Sequence, residues 1–166
     1  ARAARLLGDP FALAAVQTIA AHLHLLPERD PHPDLAAAAH DLLAALAPPL
    51  AAAARLVRFE LAIIEALGFG LDLSGCALTG ETDDLAWVSP VTGRAATRTA
   101  GLPWADRLLE LPAFLLDPED GARPSADEVR AGFRLTGHFL ARHVWEARGL
   151  VPPAMREDLI DRFDRL

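Results

Sequence analysis

Residues 58–80 read RFELAIIEALGFGLDLSGCALTG, and within this stretch the chain changes character. Val57, Leu61, Ile64 and Leu67 recur at helical spacing and define one side of a helix over about Leu50 to Leu67. Gly68 follows as the expected stop, since glycine accepts the left-handed conformation that ends helices. From Leu71 onward glycine and threonine replace the helical period. A helical body handing over to a small β element is therefore expected here, and the flanks are read from that junction.

Upstream the pattern is helical. Asp9-Pro10 is a start signal, with Asp as cap and Pro in the first turn. Ala12, Val16, Ile19, Leu23 and Leu26 follow as one buried stripe, and Pro27 to Pro33 forms a turn. A second helix is expected from about Asp34 to Leu46, along Leu35, Leu42 and Leu46, and is broken by Pro48-Pro49.

Downstream, Leu85 to Val88 alternates as a short strand. Ser89-Pro90-Val91-Thr92-Gly93 reads as a hairpin turn, and Arg94 to about Arg98 as the returning strand. A lone two-stranded hairpin is marginal in water, so it must lean on the helices. Helical pattern resumes at Ala105 to Leu109, while Leu111 to Leu116 is apolar without a clear period. Pro118 to Pro124 reads as a loop. Ser125 and Glu128 make a capping box that opens a helix to about Trp145, with Val129, Phe133, Thr136, Leu140 and Val144 inward. Gly149 and Pro152-Pro153 end it, and Ala154 to about Phe163 forms a last helix. The fold class expected is mainly α: one helical domain over 1–166 with a small β-hairpin insertion at about 71–103.

Composition bounds the chemistry. A chain of 166 residues suits one domain with a real core. The formal charge of -7 means that the chain as a whole does not attract polyanions, so nucleic-acid contact would need a local basic face. One cysteine rules out an internal disulfide and fits a reducing compartment. The opening ARAARLLGDPFALAAV lacks a secretory signal pattern. The longest alanine-leucine stretch is broken by His40, Asp41 and Pro48-Pro49, so no membrane span is expected.

Candidate reactive residues do not assemble into an enzyme. Cys76 has three readings: a nucleophile, a ligand left from a metal site, or a small buried apolar side chain. His22 and His24 lie two apart, and His138 and His143 five apart; neither spacing suits a shared metal. Glu81 with Asp83-Asp84 reads as a solvated acidic loop. No metalloprotease, nucleophile-elbow or phosphate-loop motif occurs. One pattern stands out. Arg130, Arg134, His138 and Arg142 recur every four residues and form a basic ridge beside the apolar stripe carrying Phe133 and Leu140. Such a ridge suits an acidic peptide or a phosphate backbone; the alternative is a solvated face paired with Asp127, Glu128 or Glu146.

Arg58 to Leu73, then Cys76-Ala77-Leu78-Thr79-Gly80, resembles the bacterial RecO family of DNA-repair recombination mediators. The resemblance continues through Val88 to Arg94 and through Arg134 to His143. It implies a helical C-terminal region with an embedded zinc-knuckle-like insertion, preceded in the family by an OB-fold that binds single-stranded DNA. This chain opens without methionine, at the point where the OB-fold would have ended. The implied function is not enzymatic. It is to help load recombinase on DNA coated by single-stranded-DNA-binding protein, and to anneal strands, together with RecR. The implied location is cytoplasmic and nucleoid-associated, with DNA bound mainly by the N-terminal OB-fold. The helical region is implicated in docking the acidic, apolar-ended tail of the single-stranded-DNA-binding protein. Arg130, Arg134, His138 and Arg142, with Phe133 and Leu140 as an apolar pocket, are the residues expected to receive that tail. The alternative is a generic helical scaffold or dimerisation domain.

Metal-binding members of the family use two Cys-x-x-Cys pairs. The first pair here reads Cys76-Ala77-Leu78-Thr79, and its partner, near Thr97 to Ala100, holds no sulfur. The expectation is a degenerate knuckle without zinc or other cofactor. Cys76 is then the remnant of the lost metal site, and packing through Trp87 and Phe69 secures the hairpin.

Overall fold

The computed structural model describes residues 8–116 and 123–166. Most of the loop expected at Pro118 to Pro124 lies outside the described residues. The helical body is built from α1 (Pro10–Leu23), α2 (Pro33–Ala44), α3 (Pro49–Ala66), α5 (Ala126–Leu140) and α7 (Ala154–Asp164). Between α3 and α5 come β1 (Asp72–Cys76), β2 (Leu85–Val88), β3 (Arg94–Thr97), the single turn α4 (Arg98–Gly101), a 3-10 turn (Leu102–Arg107), β4 (Leu109–Glu110) and a second 3-10 turn (Ala113–Leu115). The fold is mainly α with a small embedded sheet.

Local chemistry sets the helix ends. Asp9 Oδ1 accepts from the amides of Phe11 and Ala12 at 3.0 and 3.3 Å and so caps α1. Prolines open α1, α2 and α3, where the missing N–H costs no helical hydrogen bond. Gly68, at φ +91°, ends the path of α3, with the Phe69 amide returning to Ile64 O at 3.0 Å. The capping box is formed: Glu128 N donates to Ser125 Oγ at 3.2 Å, and Ser125 N to Glu128 Oε2 at 2.8 Å.

The hairpin is not alone. The sheet has four strands in the order β1-β3-β2-β4, with β1 parallel to β3 and the other pairs antiparallel. Its turn closes as expected, Gly93 N donating to Ser89 O at 2.9 Å and Gly93 adopting φ +70°. Two expectations change beyond it. Residues 105–109 are not an ordinary helix: Pro103 opens a 3-10 turn, and Leu109–Glu110 then pairs with Trp87 and Val88. The Leu111 amide extends that pairing by donating to Ala86 O at 2.9 Å. The sheet thus reaches past residue 103. Trp87 packs its indole on Gly101, where no side chain would fit, and donates Nε1–H to Arg98 O at 3.2 Å. Phe69 stacks on His143 with ring centroids 4.8 Å apart and so ties the β1 entry to the helical body.

The helix expected to run to Trp145 does so by changing pitch. After Leu140 it widens into a π turn (Ala141–Trp145), then finishes as α6 (Glu146–Arg148) with Gly149 left-handed at φ +62°. The wider turn lets His143 meet Phe69 while Trp145 stays buried.

The core lies where α3 crosses α5 and α7 packs on α1. Gly132 marks the closest approach: a Cβ there would stand 2.8 Å from Val57 Cγ1 and 3.3 Å from Phe114 Cζ. Val57 is fully buried and has nowhere to retreat. Gly132→Ala gains about 1 kcal/mol of helix propensity but overpacks this crossing by about 1–3 kcal/mol or more. A net loss of roughly 1–2 kcal/mol in urea denaturation is expected. An increase in stability would show that the crossing opens freely.

Candidate partner-binding cleft

Glu60 lies at the centre of the helical body, on α3, fully buried. Its Oε1 accepts from Arg156 Nε at 2.8 Å and meets His22 Nε2 at 2.8 Å. Its Oε2 accepts from Arg156 Nη2 at 3.1 Å and from Thr136 Oγ1 at 2.5 Å. With Glu60 ionised, His22 Nε2 donates to it, and Nδ1 is buried without a hydrogen-bond partner among the described residues. Four helices, α1, α3, α5 and α7, thus meet at one carboxylate. Burial works against its ionised form. The Arg156 charge, followed by the His22 hydrogen bond, outweighs burial and holds the carboxyl well below its ordinary value.

Arg156 in turn forms the floor of a cleft of about 460 Å³ between α5 and α7. The Phe133 and Trp145 rings stack under its guanidinium at 5.5 and 5.8 Å. Pro152 and Ile160 add apolar wall, and Arg130 and Arg134 stand at the cleft with Glu157 and Asp164.

The four residues of the basic ridge are placed unequally. Arg130 donates to Asp164 at 2.6 Å and to Asp127 at 2.9 Å, so part of the paired-face alternative holds at this position. Arg134 is 64% exposed, with Glu110 at 3.7 Å, too long for a hydrogen bond. It borders the cleft and two neighbouring hollows of about 730 and 520 Å³. His138 and Arg142 both donate to Pro90 O, at 2.9 and 3.2 Å, and clamp the hairpin turn onto the helix. Phe133 and Leu140 do not share a pocket. Phe133 lines the cleft, whereas Leu140 is fully buried in the core. The structure supplies Trp145, Pro152 and Ile160 as cleft wall in its place, through the π turn and α7.

Cys76 is buried at the end of β1. Burial opposes its thiolate, but hydrogen bonds from the Thr79 hydroxyl and from the amides of Thr97, Leu78 and Thr79 outweigh it and lower the pKa to about 6. The turn closes with Gly80 N donating to Cys76 O at 2.9 Å, and Gly80 adopts φ +77°. The amides cradle sulfur, but Thr79 stands where a second sulfur ligand would be. Among the described residues no group of three or more His, Cys, Asp or Glu side chains is placed to hold a metal. Nor is any described helix long and apolar enough to cross a membrane.

Glu60 and Arg156 escaped the sequence reading. Glu60 had a signal: it lies three residues after Val57 and four before Ile64, on the buried stripe of α3. Arg156 had none, for it lies in a helix whose pattern is mostly polar.

Residues 7–149 match the family described as Recombination protein O C terminal. Three relatives, each described as DNA repair protein RecO, are similar over nearly the whole chain. The Methylobacterium nodulans protein is 56% identical over 158 residues, covering 93% of this chain and 64% of its own length. The Chelativorans sp. protein is 54% identical, covering 93% and 62%, and the Brucella melitensis protein 49%, covering 98% and 66%. The chain thus spans slightly under two thirds of these relatives. No solved structure matches it. The family match over most of the helical body and the whole sheet, with these identities, shows that the chain belongs to the RecO family and corresponds to its C-terminal region.

Proposed function

We propose that this region is the protein-interaction module of a DNA repair and recombination mediator, residues 1–166 acting as one domain. In this reading it receives the acidic, apolar-ended tail of single-stranded-DNA-binding protein, works with RecR, and leaves most DNA contact to an N-terminal OB-fold. It performs no bond-making chemistry and assists recombinase loading and strand annealing. The observation that carries the reading is the joining of cations to an apolar cleft: Arg130 and Arg134 beside Phe133, Trp145 and Ile160. Carboxylates of an acidic tail suit the arginines, and a terminal aromatic suits the ring-lined wall. Of the ridge, Arg134 is the cation most open to such a ligand; Arg130 must share itself with Asp127 and Asp164. Arg142 extends the positive edge and, with His138, holds the Pro90 turn.

The test is a pulldown on an immobilised peptide with acidic residues and a terminal phenylalanine. Wild type is retained, and Arg130→Ala/Arg134→Ala loses at least about tenfold in affinity, the loss expected for charge-assisted contacts. Equal retention of the two proteins removes the ridge from the reading; no retention of either removes tail docking.

A further inference from the structure

Phe69 is 39% exposed although one face of its ring is already covered. It stacks on His143 with ring centroids 4.8 Å apart and planes within 7°, and His143 stacks on Phe139 at 6.0 Å and 11°. Phe139 is buried in the core. Three near-parallel rings thus climb from the core to the surface and stop at Phe69, whose exposed area lies on its outer face and edge. Gly68 and Gly70 flank it, so no adjacent side chain shields that face. A Cβ on Gly68 would meet nothing within 4 Å.

An open ring at the end of a stack selects its ligand by shape. An aromatic side chain of a partner gains most where walls cover its apolar edges as well as its face. A nucleobase needs only the face, because its polar edges keep their water. Phe69 offers a face between glycines and no wall of adjacent side chains. Charge adds one further contact. Arg142 precedes His143 on the π turn, is exposed, and spends Nη1 on Pro90 O at 3.2 Å. Glu146 lies beside Arg142, and Glu65 beside Gly70, its Cγ 3.3 Å from where a Cβ there would stand. One cation among carboxylates can hold a single phosphate but cannot carry binding, so stacking must supply most of the affinity.

We propose that Phe69 is a stacking platform for single-stranded nucleic acid. An unpaired base extends the ladder of Phe139, His143 and Phe69, and Arg142 takes the adjoining phosphate. The platform sits where α3 hands over to β1, apart from the cleft between α5 and α7, and does not depend on tail docking.

The experiment is fluorescence anisotropy with the whole 166-residue chain and two labelled oligomers of equal length, oligothymidine and the same backbone without bases. Oligothymidine binds at least about fivefold more tightly, the lower end of what base–aromatic stacking contributes. Phe69→Leu keeps an apolar side chain without a ring face, and the preference falls to about twofold or less. Phe69→Trp keeps the preference, and its added indole is quenched by oligothymidine beyond the wild-type change, a signal that a merely structural role would not give. Arg142→Gln lowers the salt slope of oligothymidine binding by about 0.7. Equal binding of the two oligomers by wild type, or binding of neither, overturns the proposal. A preference that survives Phe69→Leu, or no added quench in Phe69→Trp, overturns the assignment to Phe69. An unchanged salt slope in Arg142→Gln overturns the phosphate contact.

Discussion

Glu60→Ala is expected to be the most destabilising single change in this domain, by about 3–5 kcal/mol, because it leaves Arg156 charged, buried and without its counter-ion. Glu60 is fully buried, and Arg156 is nearly so, which removes the water that would otherwise compensate. The same change strips His22 Nε2 and Thr136 Oγ1 of their carboxylate partner. Against a total stability of roughly 5–15 kcal/mol this is a large fraction, and it corresponds to a melting temperature lowered by about 10 °C or more. Urea denaturation with an unchanged slope would place the loss in the native state. The double variant Glu60→Leu/Arg156→Met separates an essential pair from a costly one. Replacing both charges by apolar groups removes the desolvation of each, so the double variant should recover most of the loss. What it does not recover falls on His22, whose ring then has no partner. Additive losses in the two single variants and the double would sink this account, since they would mean the two charges do not sense each other.

Much of the fold could be read from local chemistry. Asp9-Pro10, the Ser125–Glu128 box, Gly68 and the Ser89–Gly93 turn each act within a few residues, and each is formed in the structure. The misses were non-local. Leu109–Glu110 has no strand signal of its own; it is extended because Trp87 and Val88 lie beside it. The π turn after Leu140 is fixed by what it brings together, His143 against Phe69 and Trp145 into the core. The cleft was legible in part for the same reason. A four-residue repeat placed Arg130, Arg134, His138 and Arg142 on one ridge, but spacing cannot say which cation already has a partner. Asp164 and Pro90, 34 and 48 residues away from Arg130 and His138, decide that. Phe133 and Leu140 share the helix's apolar side, yet only Phe133 borders α7 across the cleft. Arg156 reaches the floor solely because α7 packs against α1 and α3, which no window of sequence contains.

Acid is expected to remove the stability that the same network contributes. Burial disfavours the ionised Glu60, but the Arg156 charge and the His22 hydrogen bond outweigh it, and the folded carboxyl is held well below its ordinary 4.5. A carboxyl with a depressed folded pKa contributes fully to stability above its unfolded pKa, and the contribution fades as pH falls toward the folded one. In the unfolded chain Glu60 takes up its proton near 4.5, whereas in the folded chain it stays ionised, so each further pH unit below that point costs about 1.4 kcal/mol. By pH 3 the loss from this one residue reaches about 2 kcal/mol, whatever the folded value, provided it lies lower still. Stability measured from pH 8 to 3 should therefore carry a Glu60 contribution that is flat above about pH 5 and falls below it. Other carboxylates titrate in the same range, so the comparison must be internal. Glu60→Leu/Arg156→Met keeps every other acidic group and lacks this one, and the difference between its profile and that of wild type isolates the residue. The difference should be constant above pH 5 and shift by about 2 kcal/mol toward the variant at pH 3. Parallel profiles would mean that Glu60 is protonated equally in both states. That outcome is incompatible with a carboxylate accepting two hydrogen bonds from a buried guanidinium, and it would require the centre of the helical body to be wetter than its burial implies.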